Sequence, residues 1–202
     1  MSISLPSNNP SSPLVAPLTS FDRASLALAG GKGANLGELF RAGFDVPAGF
    51  VITTAAYDLL LQTDGLQAKV QEMLVSMQVN NLASVAEISQ WIRTAIQHAS
   101  TPDGIADEAL KAYRQLGSAA VAVRSSATAE DLPEAAFAGQ QETFLNVLGE
   151  QAMLDAVRAC WASLWSERAI LYRARQNVVI ILSSILLESI MISPIEKLKF
   201  GV

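Results

Sequence analysis

Cysteine is almost missing from this 202-residue chain. Cys160 is the only one, which excludes an intramolecular disulfide and a cysteine-based zinc site and fits a reducing compartment. Charge is also scarce, at 16% of residues against 50% hydrophobic. That balance excludes a disordered chain and makes a packed core the expectation. Basic residues are outnumbered, 14 Lys and Arg to 19 Asp and Glu, for a formal net charge of −5. No nucleic-acid or anionic-membrane surface of clustered cations is therefore expected. A nucleotide needs only two or three well-placed cations and stays open. The longest strongly apolar stretch, Val178 to Ile192, covers 15 residues and contains Glu188, too short and too polar for a spanning helix. The first twenty residues carry no charged side chain and include Pro6, Pro10, Pro13 and Pro17. They have neither the basic start nor the continuous apolar run of a secretory signal. Residues 1–17 thus read as a flexible leader, and the expected location is cytoplasmic.

What is present alternates between helix and strand signals. After Gly30-Gly31-Lys32-Gly33, read as a turn, the run from Ala34 to Ala42 places Leu36, Leu39 and Phe40 on one helical face, with Gly43 as its stop. Phe50 to Thr53 predicts a short strand, and Thr54 a cap for a helix carrying Tyr57, Leu60 and Leu61. Ser84 to Glu87 has the form of a capping box ahead of Ile88, Trp91, Ile92 and Ile96. Thr101-Pro102 opens a further helix to about Gln115, with proline at the first helical position. Ala119 to Arg124 and Phe137 to Val147 read as strands flanking a polar loop, Ser125 to Glu134. Two helices follow, Gln151 to Leu164 and Glu167 to Arg175. Met73, Met77, Trp91, Trp161 and Trp165 fall at core-facing helical positions. Residues 177–202 differ in composition: every alanine of the chain lies before Asn177, and the segment has no arginine. It reads either as a buried strand plus helix of the same domain or as a junction where truncation or a frame change has replaced the natural continuation.

Three stretches hold side chains suited to chemistry. In GGKGANLGEL, residues 30–39, no Ser or Thr follows Lys32, so it is not a Walker loop, and the glycine spacing misses the dinucleotide fingerprint. What remains is a lysine at a helix N-terminus, where free N–H groups and the helix dipole attract phosphate, or else a glycine-rich turn with a solvated lysine. In VAVRSSATAEDLP, residues 121–133, a strand delivers Arg124 to its end, where ligands gather in open α/β sheets. Its planar fork suits phosphate oxygens, and an ion pair with Glu130 or Asp131 is the competing role. In FAGQQETFLNV, residues 137–147, Gly139 permits close backbone approach and Thr143 offers a hydroxyl. Poor alternation there means either a strand facing a polar site or a solvated edge. The pair Glu130 and Asp131 also reads as a loop cap.

In order and spacing, GGKGANLGEL, VPAGFVITTAAY, VAVRSSATAEDLPEAAFAGQQETFLNV and CWASLWSERAILYR resemble the N-terminal ATP-binding domain of the phosphoenolpyruvate synthase and rifampicin phosphotransferase family. Pyruvate, phosphate dikinase is a more distant relative. The resemblance covers residues 18–176. It implies an α/β (α+β), ATP-grasp-like fold of which this chain is the N-terminal part. It implies that Lys32 and Arg124 contact ATP phosphates, with Gly139 and Thr143 near the nucleotide. It further implies ATP-dependent phosphoryl transfer through a histidine on a separate swinging domain, to pyruvate or another acceptor. The magnesium ligands and the adenine grip of the family lie further along, and 178–192 does not resemble the family's next strand. Catalytic and metal-binding residues are accordingly expected outside this chain, which reads as incomplete and inactive alone, or as a non-catalytic binding module. His98 does not match the swinging-domain motif and reads as structural or surface. Self-association through an uncovered apolar face is expected.

Overall fold

In the computed structural model, residues 12–127, 142–175 and 188–195 are described. Val15–Pro17 is strand β1, inside the stretch expected to be a leader. Proline is tolerated there because β1 is the edge strand among the described residues, where it pairs with β2, Phe50–Ile52, alone. Two single 3-10 turns, Leu18–Ser20 and Arg23–Ser25, lead into helix α1, Leu26–Arg41. Helix α2 is Thr54–Gln62, α3 Leu66–Ser76, α4 Leu82–His98 and α5 Asp103–Gln115. Strands β3, Val121–Ala127, and β4, Thr143–Val147, follow. Helices α6, Glu150–Ser163, and α7, Glu167–Arg175, precede strand β5, Glu188–Pro194.

The five strands form one sheet in the order β1-β2-β5-β3-β4, and every pairing is antiparallel. The mixed α/β reading therefore holds. The strand-end rule invoked for Arg124 belongs to parallel, doubly wound sheets, and it does not apply here. Within the compositionally distinct segment 177–202, residues 188–194 are a central strand, buried at 189–193, that pairs with both β2 and β3.

Alternation sorts the sheet into two faces. Phe50, Ile52, Val121, Val123, Ile190 and Ile192 point into the main core, against Tyr57 and Leu60 of α2, Ile92 of α4, Ile105 of α5, Trp161 of α6 and Ile170 of α7. The opposite face carries Val51 and Met191, covered by Ala29 of α1 and by Leu18 and Phe21. Among the described helices, α1 is thus the one on this side of the sheet. The glycine stop expected for it is present as a double-bonded left-handed turn: Gly43 has φ 84, its N–H donates to the Phe40 carbonyl, and the Phe44 N–H donates to that of Leu39.

Several local expectations require correction. Helix α1 starts at Leu26, and only Gly30 leaves helical geometry, so Gly31 to Gly33 are helical and not a turn. The cap of α4 is Asn81, whose side chain accepts from the N–H groups of Ala83 and Ser84, in place of the Ser84 box. Thr54 is the first residue of α2 and its hydroxyl donates to the Ala27 carbonyl at 3.0 Å, tying α2 to α1. Pro102 sits at the N-cap of α5, one position earlier than expected. Residues Ser125 to Ala127 belong to β3 and not to a loop. Trp161 and Trp165 are buried and Met73 and Met77 half-buried against the core, whereas Trp91 is exposed.

The buried aromatics are joined by a polar contact. The Trp165 indole N–H donates to the Tyr57 hydroxyl at 2.9 Å, and the Ser89 hydroxyl donates to the Trp165 carbonyl at 2.6 Å. Tyr57→Phe removes the acceptor of a buried N–H while keeping the ring. The expected loss is about 1–3 kcal/mol in urea denaturation, and an unchanged midpoint and slope would refute it.

Candidate functional site

The break in α1 is where helix and sheet come closest. Gly30 has φ 65 and ψ 174, a region open essentially to glycine alone. A Cβ built there would stand 2.3 Å from the Ser126 carbonyl oxygen. Past the break the helix restarts with the Lys32 N–H facing β3. The Lys32 N–H donates to Ser126 Oγ at 3.0 Å, and Lys32 Nζ donates to the Ser125 carbonyl at 3.2 Å. Ser126 therefore acts as a helix cap supplied by a distant strand.

Arg124 stands on the same face. In antiparallel pairing, residues directly opposite share a face, and Arg124 lies between Met191 of β5 and Thr143 of β4. Met191 packs in the cluster that contains Ala29 and Leu28 of α1, which fixes Arg124 and Thr143 on the α1 side. Lys32, Arg124 and Thr143, far apart in sequence, are thus gathered on one face by the fold. The Arg124 side chain is half-buried, its Nε is fully buried, and it makes no hydrogen bond or ion pair with any described residue. Thr143 is exposed at the edge strand. Gly139, Glu130 and Asp131 lie outside the described residues.

A half-buried guanidinium without an acceptor is costly unless an anion or water satisfies it. With a lysine and a helix N-terminus beside the same strand, the face is suited to oxyanions with several acceptor atoms, such as a polyphosphate. Ser126 was not singled out from sequence, and no local signature marks it, because it caps a helix 94 residues away. His98 is exposed in the last turn of α4, away from these residues. An apolar cleft of about 520 Å³ lies between β1 and α5, lined by residues such as Val15, Lys111 and Leu116. It borders the sheet edge opposite β4 and contains none of the candidate residues. Among the described residues no group of three or more His, Cys, Asp or Glu side chains is arranged to hold a metal, and no helix is long and apolar enough to cross a membrane.

Comparison with known proteins supplies the family. The chain is 49% identical over 158 residues to a probable phosphoenolpyruvate synthase of Methanothermobacter thermautotrophicus, covering 75% of this chain and 23% of that protein. It is 43% identical over 174 residues to a rifampicin phosphotransferase of Streptomyces sviceus, covering 85% of this chain and 20% of the relative. The phosphoenolpyruvate synthase of Pyrococcus furiosus is 40% identical over 188 residues, with 74% and 23% covered. The chain spans about a fifth of the length of these relatives. The family described as "Pyruvate phosphate dikinase, AMP/ATP-binding domain" matches residues 26–182, and the chain belongs to that family.

Proposed function

We propose that this chain is the ATP-binding portion of a phosphoenolpyruvate synthase-like phosphotransferase, with an ATP-grasp-like fold. Lys32 and Arg124 hold ATP phosphates, and Thr143 together with Gly139 lines the nucleotide. The observation that carries the reading is the half-buried Arg124, without a partner among the described residues, on the same sheet face as Lys32. A bound triphosphate supplies the transferable phosphoryl group. The chain's residues orient it: the guanidinium forks onto two oxygens, the Lys32 ammonium neutralises charge, and the dipole of the restarted helix favours the same anion. In the whole polypeptide the phosphoryl group is proposed to reach pyruvate through a histidine on a separate domain, with magnesium ligands from other segments. The similarity to relatives named phosphoenolpyruvate synthase supports pyruvate as acceptor, and the rifampicin phosphotransferase relative keeps rifampicin as the alternative.

Tripolyphosphate, which has the phosphates and no adenine, tests the assignment on the 202-residue chain. In nitrogen-15 spectra it is expected to shift the Gly31 and Lys32 amides and the Arg124 Nε–H together, saturably and in competition with ATP. Shifts confined to other basic side chains, or none at all, would overturn the assignment of these two residues.

A further inference from the structure

We infer that Ser189 is a positioning residue for the Gly30 break, setting the direction of the α1 segment that carries Lys32. The inference rests on the proposed role of Lys32. Ser189 of β5 lies directly opposite Ser126 of β3, and both are buried. Its hydroxyl donates to the Ala29 carbonyl, with the Ser126 carbonyl 3.3 Å away as a second, weaker acceptor. Across the same pair, Ser126 Oγ accepts from the Lys32 N–H. The two serines therefore grip α1 on either side of Gly30, one at a carbonyl before the break and one at an N–H after it.

Two fixed points on either side of a sharp backbone change determine the direction in which the helix restarts. Gly30 lets the chain bend there, but glycine imposes no direction of its own. That direction comes from the sheet. β5 is held on both sides, by β2 and by β3, and serine reaches from it through a single rotatable bond. The grip also ties residues 188–194, part of the segment whose composition sets it apart, to the face that holds Lys32 and Arg124. Ser193 of the same strand is a natural control. It is buried as Ser189 is, yet its hydroxyl has no hydrogen-bond partner among the described residues.

Ser189→Ala and Ser193→Ala are compared in the 202-residue chain by amide hydrogen exchange and by calorimetric titration with ATP. Ser189→Ala is expected to speed exchange of the Lys32 amide at least about tenfold and to weaken ATP binding by about tenfold, with the Val123 and Ile190 amides as protected as in the wild type. Ser193→Ala is expected to change neither. Wild-type exchange at Lys32 in Ser189→Ala overturns the inference, and so does an equal effect in Ser193→Ala, which marks general loosening of β5. A wild-type chain that does not bind ATP overturns the Lys32 assignment instead, and the exchange comparison still decides whether Ser189 sets the break. Should Ser189→Ala also lose protection at Val123 and Ile190, Ser189→Cys takes its place. It has similar volume and a weak donor, and faster Lys32 exchange is again required.

Discussion

Arg124→Ala is expected to weaken ATP binding by roughly 10- to 150-fold while leaving the melting temperature of the unliganded protein nearly unchanged. The range follows from about 1.5–3 kcal/mol for a charge-assisted hydrogen bond. The unchanged melting temperature follows from the structure: the Arg124 side chain makes no hydrogen bond or ion pair with a described residue, so truncation removes none of the polar contacts seen among those residues. Arg124→Lys should fare little better than alanine. A point charge on a flexible stem cannot reproduce the bidentate fork that a strand between β4 and β5 holds in place. Lys32→Ala should weaken binding by a similar factor, and it also removes the bond from Nζ to the Ser125 carbonyl, so a small loss of stability accompanies it. Calorimetry and thermal melting on the same three variants separate this from the ion-pair role of Arg124 with Glu130 or Asp131. That role requires the opposite: a lowered melting temperature in Arg124→Ala and unaltered ATP affinity.

Gly30→Ala is expected to be the most destabilising single methyl addition in the site. Two costs combine: a backbone region that L residues avoid, worth about 1–3 kcal/mol, and a Cβ 2.3 Å from a main-chain oxygen that cannot rotate away. Together these should exceed about 3 kcal/mol, or a fall of about 6–12 °C in melting temperature for a chain of this size. Gly43→Ala provides the comparison. It shares the positive φ, but nothing lies within 4 Å of its added Cβ, so only the left-handed strain of about 1–2 kcal/mol remains. Equal losses in the two variants would show that the approach of Gly30 to Ser126 is looser than its geometry indicates.

Local signals were legible in the sequence wherever a residue acts on its immediate neighbours. The Gly43 stop, the apolar face of α4 and the helix ending near Gln115 all follow from spacing and from the chemistry of single residues. Long-range partners were less legible. Three-residue β1 is too short to show alternation, and Pro17 together with the prolines before it mimics a leader. Gly31 and Gly33 look like turn residues, yet they are helical because α1 packs closely on the sheet, Gly33 meeting Val51 there. Asn81 outcompetes Ser84 as a cap because its side chain reaches two N–H groups. For the site, Lys32, Arg124 and Thr143 were named from their motifs, while the register that puts Arg124 opposite Thr143 depends on pairing that no local pattern encodes. Ser126 and Ser189 stayed hidden for the same reason.

The position of β5 has a consequence for the order of folding. Before it arrives, the described strands make two separate pieces of sheet, the β1–β2 ribbon and the β3–β4 pair, each with an unsatisfied inner edge. Joining them requires Ile192 to meet Phe50 on one side and Val123 on the other, contacts 142 and 69 residues apart in sequence. Such pairings meet a large loop-closure entropy before any reward, which slows folding and prolongs exposure of unpaired edges. During synthesis, β2 and β3 must wait until residues 188–194 have emerged before they can be joined, so chaperone capture is expected to fall on the nascent β2 and β3 edges.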